Sequence, residues 1–405
     1  MNIIQCHNYY QIPGGEDAVV EDERALLVSH GHNVTQFTRH NDDVKDVGAV
    51  RLAAGTVWSR AAARDLEVMV RKEKAAVVHF HNTMPMISPS AYYAARRAGA
   101  AVVQTLHNYR LLCPKGTFFR EGTVCEKCLG KPVAWPAVRH ACYRDSRVAS
   151  AVLTVMGTTH RLFRTYHRAV DAYIAASEFT RGKMLVGGLP KDRLHVKPNF
   201  VLDDPGVGSG DGGYALFLGR LSPEKGLDTL IAAWDRMECL VPLKIVGSGP
   251  MEDEARQLAA RHEHVECLGW VGQPGLGEVI RGARVLVLPS LNYEGFPKVI
   301  VEAYAAGLPI VASRLGSMGD AIVEGTTGRL FEPGDVDDLA KTMASLFHDT
   351  DLLASMRGAS RAAYETYYTA QVNYAKLLDV YHVALERRAS ASELTSDPAA
   401  TEQSR

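Results

Sequence analysis

The sequence predicts an α/β protein with two doubly wound, parallel-sheet domains, and three observations support this. The chain has 405 residues, a length typical of two or three domains. Short, almost continuously apolar runs alternate with helical stretches, which is typical of parallel sheets covered on both faces. The alternation stops once, at 199–213, where Gly, Asp and Pro predominate, and then restarts. We therefore predict an N-terminal domain at 1–198, a flexible linker at 199–213 and a C-terminal domain at 214–362.

Each domain contains five apolar runs that we interpret as strands. Those of the N-terminal domain are 2–7, 33–38, 76–82, 101–108 and 172–177, and those of the C-terminal domain are 214–220, 243–249, 265–271, 285–290 and 309–313. Open α/β sheets bind ligands beyond the carboxyl ends of their strands. Function is therefore expected in the strand-to-helix turns that face a cleft between the domains.

The end of the chain changes in character. A helix is predicted over 363–388, because residues 373–385 have apolar side chains at helical spacing and could pack on either domain. Residues 389–405 are mostly Ala, Ser, Thr, Glu and Gln without an apolar period, so a disordered tail is predicted there.

Composition excludes several classes of protein. Lys and Arg number 45 and Asp and Glu 46, so the net charge of −1 excludes a polybasic nucleic-acid binder taken over the whole chain. No run reaches the roughly 18 apolar residues of a membrane span. The start, MNIIQCHNYY, lacks the basic and small-residue features of a signal peptide. A cytoplasmic protein is expected.

Three turns of the C-terminal domain place polar groups after a strand. In GRLSPEKG, Arg220 and Lys225 lie beside a predicted helix start, where two cations and free amides favour a diphosphate; the alternative is a solvated turn. The GSGP turn, 247–250, is a weak signal because it only partly matches a dinucleotide loop. In SLNYEGFPKVIVEAYAAGLPIVAS, Glu294 is predicted before the helix and Glu302 inside it, so each would bind a different hydroxyl-bearing part of one ligand.

Pro297 is predicted to be the first residue of that helix. A D-x-D sequence, which holds a divalent metal in many transferases of another fold, occurs at Asp335 to Asp337. It is interpreted as helix-capping residues, so no catalytic metal is expected.

Together these motifs resemble glycosyltransferase family 4, a family of retaining, nucleotide-sugar-dependent enzymes of the GT-B fold with two Rossmann-like domains. The resemblance rests on the E-x7-E pair Glu294 and Glu302, the preceding VLPS strand, the following GLPIVAS and the upstream GR-x4-KG turn. It covers about 214–346 and is looser in the first half, where it is limited to the Gly14-Gly15-Glu16 turn and LHN near His107.

The resemblance implies transfer of a hexose-type sugar from a nucleotide diphosphate sugar to a glycan, lipid-linked or other hydroxyl acceptor. The implied catalytic residues are Arg220, Lys225, Glu294 and His107. The implied donor-binding residues are Gly14, Gly15, Gly219, Gly247, Gly249, Gly269, Trp270, Val271, Gly295, Phe296, Lys298, Val299 and Glu302. Many relatives have Asp after the histidine, whereas this chain has Asn108, which puts any role needing a carboxylate there in doubt.

Four cysteines could hold a structural zinc ion in the N-terminal domain. Cys113, Cys125, Cys128 and Cys142 have the spacing C-x11-C-x2-C-x13-C inside an irregular insertion at 113–142. Four thiolates form a closed tetrahedral site without an open position for catalysis. The alternative is four reduced thiols.

The segment 131–170 has seven basic residues against the single acid Asp145, a charge of +6. It suits an anionic membrane surface or a phosphate-bearing acceptor, and a solvated basic helix face is the alternative. His79 and His81 alternate on a predicted strand and so point the same way. They are interpreted as polar groups at the strand end that could contact the cleft, and the alternative is a pair of ligands.

Two other functions are compatible with the two-domain plan. One is a nucleotide-sugar epimerase or phosphorylase, although neither is expected to contain the E-x7-E turn. The other is a catalytically inactive, zinc-stapled binding protein, which the intact Arg220, Lys225, Glu294 and Glu302 argue against.

Overall fold

A computed structural model describes residues 1–11, 14–237, 239–272 and 275–396, with side chains to residue 391. The chain divides into two compact units. The first unit comprises 1–116, 126–197 and the chain from Tyr374 onward, and the second comprises 117–125 and 198–373. The insertion that contains the four cysteines is thereby divided, because its segment 117–125 groups with the second unit.

The strands and helices alternate as predicted. The strands are β1 Asn2–Tyr9, β2 Asn33–His40, β3 Val77–Phe80, β4 Ala101–Leu106, β5 Phe119–Arg120, β6 Thr123–Val124, β7 Ala172–Ala175, β8 Leu194–Val196, β9 Ala215–Leu218, β10 Leu243–Val246, β11 Val265–Gly269, β12 Val285–Leu288, β13 Ile310–Ser313 and β14 Gly328–Phe331. The α-helices are α1 Gly15–Ser29, α2 Ala49–Val57, α3 Arg60–Glu73, α4 Ser90–Arg97, α5 Trp135–Arg139, α6 Arg147–Leu162, α7 Thr165–Arg168, α8 Glu178–Val186, α9 Leu227–Arg236, α10 Glu252–Arg261, α11 Gly275–Gly282, α12 Lys298–Ala305, α13 Ser317–Ala321, α14 Val336–Phe347, α15 Thr350–Tyr367 and α16 Ala370–Ser396. None of the described helices is long and apolar enough to span a bilayer.

The first unit is built on a six-stranded parallel sheet with the order β2-β1-β3-β4-β7-β8. The chain passes from β1 to β2 on one side and then crosses to β3 on the other. The order of strands therefore reverses beside β1, and the carboxyl ends of β1 and β3 form the switch point where ligands of such sheets bind. The sequence analysis missed β8, which has only three residues.

The second unit repeats this plan with the order β11-β10-β9-β12-β13-β14, again parallel throughout. Its switch point lies between β9 and β12. The core beside the sheet contains the buried Phe217, Trp234, Ile245, Val287 and Phe331. The predicted α/β class with two parallel sheets is confirmed, and β14 is the one strand of this sheet that the sequence analysis missed.

The C-terminal chain differs from the prediction in two ways. Two helices, α15 and α16, replace the single helix predicted over 363–388, because the Thr369 hydroxyl accepts a hydrogen bond from the Val372 amide and caps a new helix. Helix α16 continues to Ser396, beyond the predicted helix end at 388, and 397–405 lie outside the described residues. Its apolar side chains Leu377, Val380 and Tyr381 are buried in the core of the first unit.

The segment predicted to be a flexible linker, 199–213, is hydrogen-bonded within the second unit. The amides of Gly208, Gly210 and Gly212 donate to backbone oxygens of Ala306, Arg281 and Gly282 at 2.9 to 3.0 Å. A Cβ atom at position 208 would lie 2.3 Å from the Arg281 oxygen. The glycines of this segment therefore permit a close backbone approach, and its composition does not indicate flexibility.

Candidate functional site

The switch point of the second unit brings together the two turns that the sequence analysis singled out. Arg220 follows β9 and is exposed, and Lys225 lies in a single 3-10 turn before α9. Gly226 has φ of +73°, and a Cβ atom there would lie 1.8 Å from the Pro289 carbonyl oxygen at the end of β12. Only glycine allows the turns after β9 and β12 to touch in this way.

Lys225 and Glu294 are in direct contact across these two turns. The Lys225 Nζ atom lies 2.6 Å from Glu294 Oε1, and the Ser290 hydroxyl donates to the same oxygen at 3.0 Å. The Ser317 hydroxyl donates to the backbone oxygen of Glu294 at 3.0 Å. The ammonium and the carboxylate are thus held together at the carboxyl edge of the sheet.

The glycine turn after β10 supports this arrangement. Gly247 has φ of +141°, and a Cβ atom there would lie 1.8 Å from the Gly219 carbonyl oxygen. A Cβ atom on Gly249 would lie 2.3 Å from the Leu221 oxygen. The Gly247 amide also donates to the Gly269 oxygen at 2.8 Å. These glycines therefore have a packing role, because they allow the turns after β9, β10 and β11 to approach each other.

Helix α12 begins one residue later than predicted, with Pro297 at the N-cap and Lys298 as the first helical residue. Glu302 lies one turn further along the helix, and Lys298 Nζ is 4.0 Å from its Oε1 atom. The aromatic ring of Phe296 is buried and stacks on Tyr368 with 5.7 Å between the ring centroids. Phe296 can therefore serve a ligand through its backbone but not through its ring.

The remaining donor-side predictions fall around this switch point. Trp270 follows β11 and its side chain is 76% exposed, while Val271, Gly295 and Val299 are partly exposed.

The D-x-D sequence is a helix cap, as predicted, because the Asp335 carboxylate accepts from the Asp338 amide at 2.9 Å at the start of α14. Asp337 forms an exposed ion pair with Arg236 at 2.7 Å.

In the first unit, the predicted glycine turn lies at the start of α1 and is held by two residues that the sequence analysis missed. The Asp17 carboxylate accepts from the Gly14 amide at 3.0 Å, and its other oxygen lies 2.7 Å from His7 Nε2. Both side chains are buried. An acid at the third position of a helix that begins after glycine is a capping signal, and it could have identified Asp17. Gly14 and Gly15 remain exposed at this turn.

His107 follows β4 and lines a cavity of the first unit together with His81, Asn108 and Arg110. Its Nε2 atom lies 3.0 Å from His81 Nδ1. Burial, followed by electrostatic interaction with His7, His79 and Lys197, lowers the pKa of His107 well below its usual value. His107 is therefore neutral near pH 7 and can both donate and accept a hydrogen bond. The Asn108 side chain accepts from the Arg110 amide at 3.0 Å and so orders its own loop.

Beneath His107 lies a buried ionic group that the sequence analysis did not identify. Lys197 Nζ is 2.6 Å from Glu23 Oε1, and both side chains are buried. The other Glu23 oxygen, Oε2, lies 3.6 Å from His79 Nδ1 and 3.6 Å from His81 Nε2. Ligand atoms of Glu23, His79 and His81 all lie within 4.8 Å of one another, so these three side chains could hold a metal ion.

His79 is an interior group of β3, whereas His81 follows the end of that strand and lines the cavity with His107. His79 contacts the Tyr381 hydroxyl at 2.9 Å and the Thr105 hydroxyl at 2.7 Å. Burial lowers the pKa of His79 to about 4 and that of His81 well below its usual value. Both are neutral near pH 7, in keeping with their burial.

The four cysteines of the insertion differ in burial. Cys113 and Cys128 are buried, Cys125 and Cys142 are partly exposed, and none is in a disulfide. Cys125 is the last residue of the segment that groups with the second unit.

Comparison with known proteins matches two family models to consecutive parts of the chain. A model described as Glycosyltransferase Family 4 matches residues 13–204, and one described as Glycosyl transferases group 1 matches residues 212–349. The phosphatidyl-myo-inositol mannosyltransferase of Mycobacterium leprae is 31% identical over 251 residues, which is 60% of this chain and 66% of that protein. The chain therefore spans just under two thirds of that relative's length.

Solved structures share the fold at low sequence identity. HepE of Anabaena, in complex with UDP, has a TM-score of 0.65 and 17% identity, with 94% of this chain and 99% of that chain covered. Sucrose-phosphate synthase of Thermosynechococcus elongatus has a TM-score of 0.70 and 16% identity, with 94% and 98% covered. The GT-B fold expected from the sequence is thereby confirmed.

Proposed function

The chain belongs to glycosyltransferase family 4, and we propose on that basis that it is a retaining, metal-independent glycosyltransferase using a nucleotide diphosphate sugar. The observation that carries the proposal is the Lys225–Glu294 contact at 2.6 Å beside Arg220, at the switch point of the second sheet. A site that transfers a sugar needs cations for the departing diphosphate and a carboxylate for the sugar hydroxyls, and this switch point supplies both.

The chemistry follows from where charge develops. Glycosyl transfer passes through an oxocarbenium-like state while the bond to the leaving oxygen breaks, and negative charge accumulates on the diphosphate. Arg220 and Lys225 would stabilise that charge more strongly in the transition state than in the ground state, which is the condition for raising the rate. Glu302, one turn inside α12, is proposed to bind the ribose hydroxyls, and Glu294 the sugar.

A thermal-shift screen of nucleoside diphosphates and nucleotide sugars tests this proposal directly. UDP and UDP-glucose come first, because the structural neighbour HepE is bound to UDP. A ligand at about 100 times its Kd stabilises the folded state by about 2.7 kcal/mol. We expect one nucleoside diphosphate to raise the melting temperature without added metal, and its monophosphate to raise it less. Absence of stabilisation by every nucleoside diphosphate would contradict the proposal.

For the acceptor, we propose a glycan or lipid-linked hydroxyl compound reached from the surface of the first unit. On α6, Val148, Val155 and Leu162 are spaced by seven residues, so they lie on one helix face, and all three are more than half exposed. Exposed basic residues, Arg147 and Arg164, flank this apolar stripe. Apolar side chains beside cations suit peripheral contact with an anionic membrane surface.

This surface makes a prediction for vesicle binding. The Val155→Asp variant is expected to sediment less with phosphatidylglycerol vesicles than the unmodified protein does, because the new charge opposes both insertion and anion attraction. The matched control is Val186→Asp, which changes an exposed valine on α8. Equal sedimentation of both variants would contradict a contact through α6.

From the sequence spacing alone, we also propose that Cys113, Cys125, Cys128 and Cys142 hold one structural zinc ion, because four thiolates form the closed site that zinc prefers. Among the described residues, the possible ligand atoms that lie within 4.8 Å of one another are those of Glu23, His79 and His81. Elemental analysis of the purified protein is expected to find one zinc per chain. Cys128→Ser should lose the metal and lower the melting temperature, whereas Cys267→Ser, in the second unit, should keep it. Zinc-free protein of unchanged stability would rule out this site.

A further inference from the structure

Two buried polar atoms face each other below the His107 cavity. Among the residues that the structure describes, neither Glu23 Oε2 nor His81 Nε2 has a hydrogen-bond partner, and both are fully shielded from solvent. They lie 3.6 Å apart. A buried polar atom without a partner destabilises the folded state, so the close opposition of these two atoms indicates an interaction between them.

The neighbouring ammonium of Lys197 explains how the Glu23 carboxylate can be buried. Lys197 pairs with the other oxygen of Glu23 at 2.6 Å, so Glu23 can remain ionised although it is buried. A divalent cation between Glu23, His79 and His81 would add two positive charges to a group whose single carboxylate is already paired with an ammonium. Electrostatics therefore favour a proton over a metal ion at this position.

The proton positions can be derived from these contacts. An ionised Oε2 favours an N–H group on the imidazole nitrogen that faces it, which is His81 Nε2. His81 is buried, which favours the neutral imidazole, so a proton on Nε2 leaves a lone pair on its Nδ1. His81 Nδ1 lies 3.0 Å from His107 Nε2, and the only way to form that hydrogen bond is for His107 to donate from Nε2. A neutral His107 protonated at Nε2 has a lone pair at Nδ1.

We propose that Glu23 and His81 are positioning residues that hold His107 in the tautomer protonated at Nε2. The unprotonated Nδ1 atom of His107 can then accept a hydrogen bond from a hydroxyl group in the cavity. That last step rests on the proposed function, in which His107 faces the sugar and acceptor. The tautomer itself does not depend on it, because it follows from contacts inside the first unit.

The other groups around Glu23, His81 and His107 are consistent with this tautomer. His79 Nδ1 also lies 3.6 Å from Glu23 Oε2, but His79 has its own partners, the Tyr381 hydroxyl on α16 and the Thr105 hydroxyl on β4. The ring of His7 lies 6.2 Å from that of His81, edge to face. His81 therefore links the carboxylate to His107, and the tautomer of His107 responds to Glu23 only through it.

Long-range ¹H–¹⁵N NMR of the imidazole nitrogens, recorded on the whole protein near pH 7.5, tests the proposal. His107 is expected to show a protonated Nε2 and an unprotonated Nδ1, and His81 the same pattern. His81→Gln should change the His107 pattern. The double variant Glu23→Gln/Lys197→Met should change it as well. The double variant removes both buried charges together, so that neither is left unpaired and the fold is preserved. His264→Gln, in the second unit, is the matched control and should leave the His107 signals unchanged.

Kinetics separate a positioning role from a merely structural one. Both test variants are expected to lower kcat by about 10- to 100-fold, as loss of an orienting partner does elsewhere, with the donor KM within about twofold. A His107 protonated at Nδ1 would overturn the proposal, and so would a metal ion bound to Glu23 and His81. If NMR shows the proposed tautomer but no sugar is transferred from any donor, the proposed function is wrong. The positioning of His107 by Glu23 and His81 would then still be correct.

Discussion

Replacing Arg220 and Lys225 together by alanine is expected to lower kcat/KM for the nucleotide sugar by at least about a thousandfold. Each cation is proposed to face the charge that develops on the leaving diphosphate, and loss of one such group typically costs about 100- to 1,000-fold. The single variants should each lose about 100-fold. The measurement is steady-state donor turnover, with water or an identified acceptor receiving the sugar.

The fold should tolerate this change. Arg220 is exposed, and the Glu294 carboxylate, which is 13% exposed and loses its ammonium partner in Lys225→Ala, still accepts a hydrogen bond from the Ser290 hydroxyl. Arg236→Ala is the matched control, because Arg236 lies at the end of α9 in an exposed ion pair worth about 0 to 1 kcal/mol. Retention of activity in the double variant, with normal stability, would contradict the role given to these cations.

The second large effect concerns stability. Lys197→Met and Glu23→Gln are each expected to lower the free energy of unfolding by about 3 to 5 kcal/mol, because each leaves one buried charge without its partner. The double variant should recover most of that loss, since neither charge then remains. Urea unfolding of the four proteins forms a double-mutant cycle that isolates the interaction between the two side chains.

The control for this cycle is Arg39→Ala, which removes an exposed ion pair with Asp65. It should change stability by less than about 1 kcal/mol. If the losses in unfolding free energy from Lys197→Met and Glu23→Gln simply add in the double variant, the interaction energy between the two side chains is zero. Lys197 would then not stabilise the Glu23 carboxylate that is proposed to orient His81.

The donor side was predictable from the sequence because its residues follow strands directly. Apolar runs end just before Arg220 and Glu294, and the topology then brings both turns to one switch point. The Lys225–Glu294 contact itself spans 69 residues and needed the structure. The buried state of the Phe296 ring also escaped prediction, because Tyr368, on which it stacks, lies beyond the motif.

The buried charged group of the first unit could not be predicted from the sequence. Glu23 and Lys197 are 174 residues apart, and both residue types are normally found on surfaces. The alternation of His79 and His81 predicts one shared strand face, but it does not tell whether that face is buried. Strands as short as β8 give no reliable period, and the capping hydroxyl of Thr369 divides a helix that apolar spacing alone makes continuous.

The configuration of the sugar in the product distinguishes retaining from inverting transfer. Retaining transfer from a nucleotide α-sugar keeps the anomeric configuration, whatever the acceptor. With the donor found in the binding screen, early-time ¹H NMR of the transferred or released sugar should show the α-anomer, and formation should depend on Arg220 and Lys225. A β-anomer as the first product would contradict the account of this enzyme as a retaining glycosyltransferase.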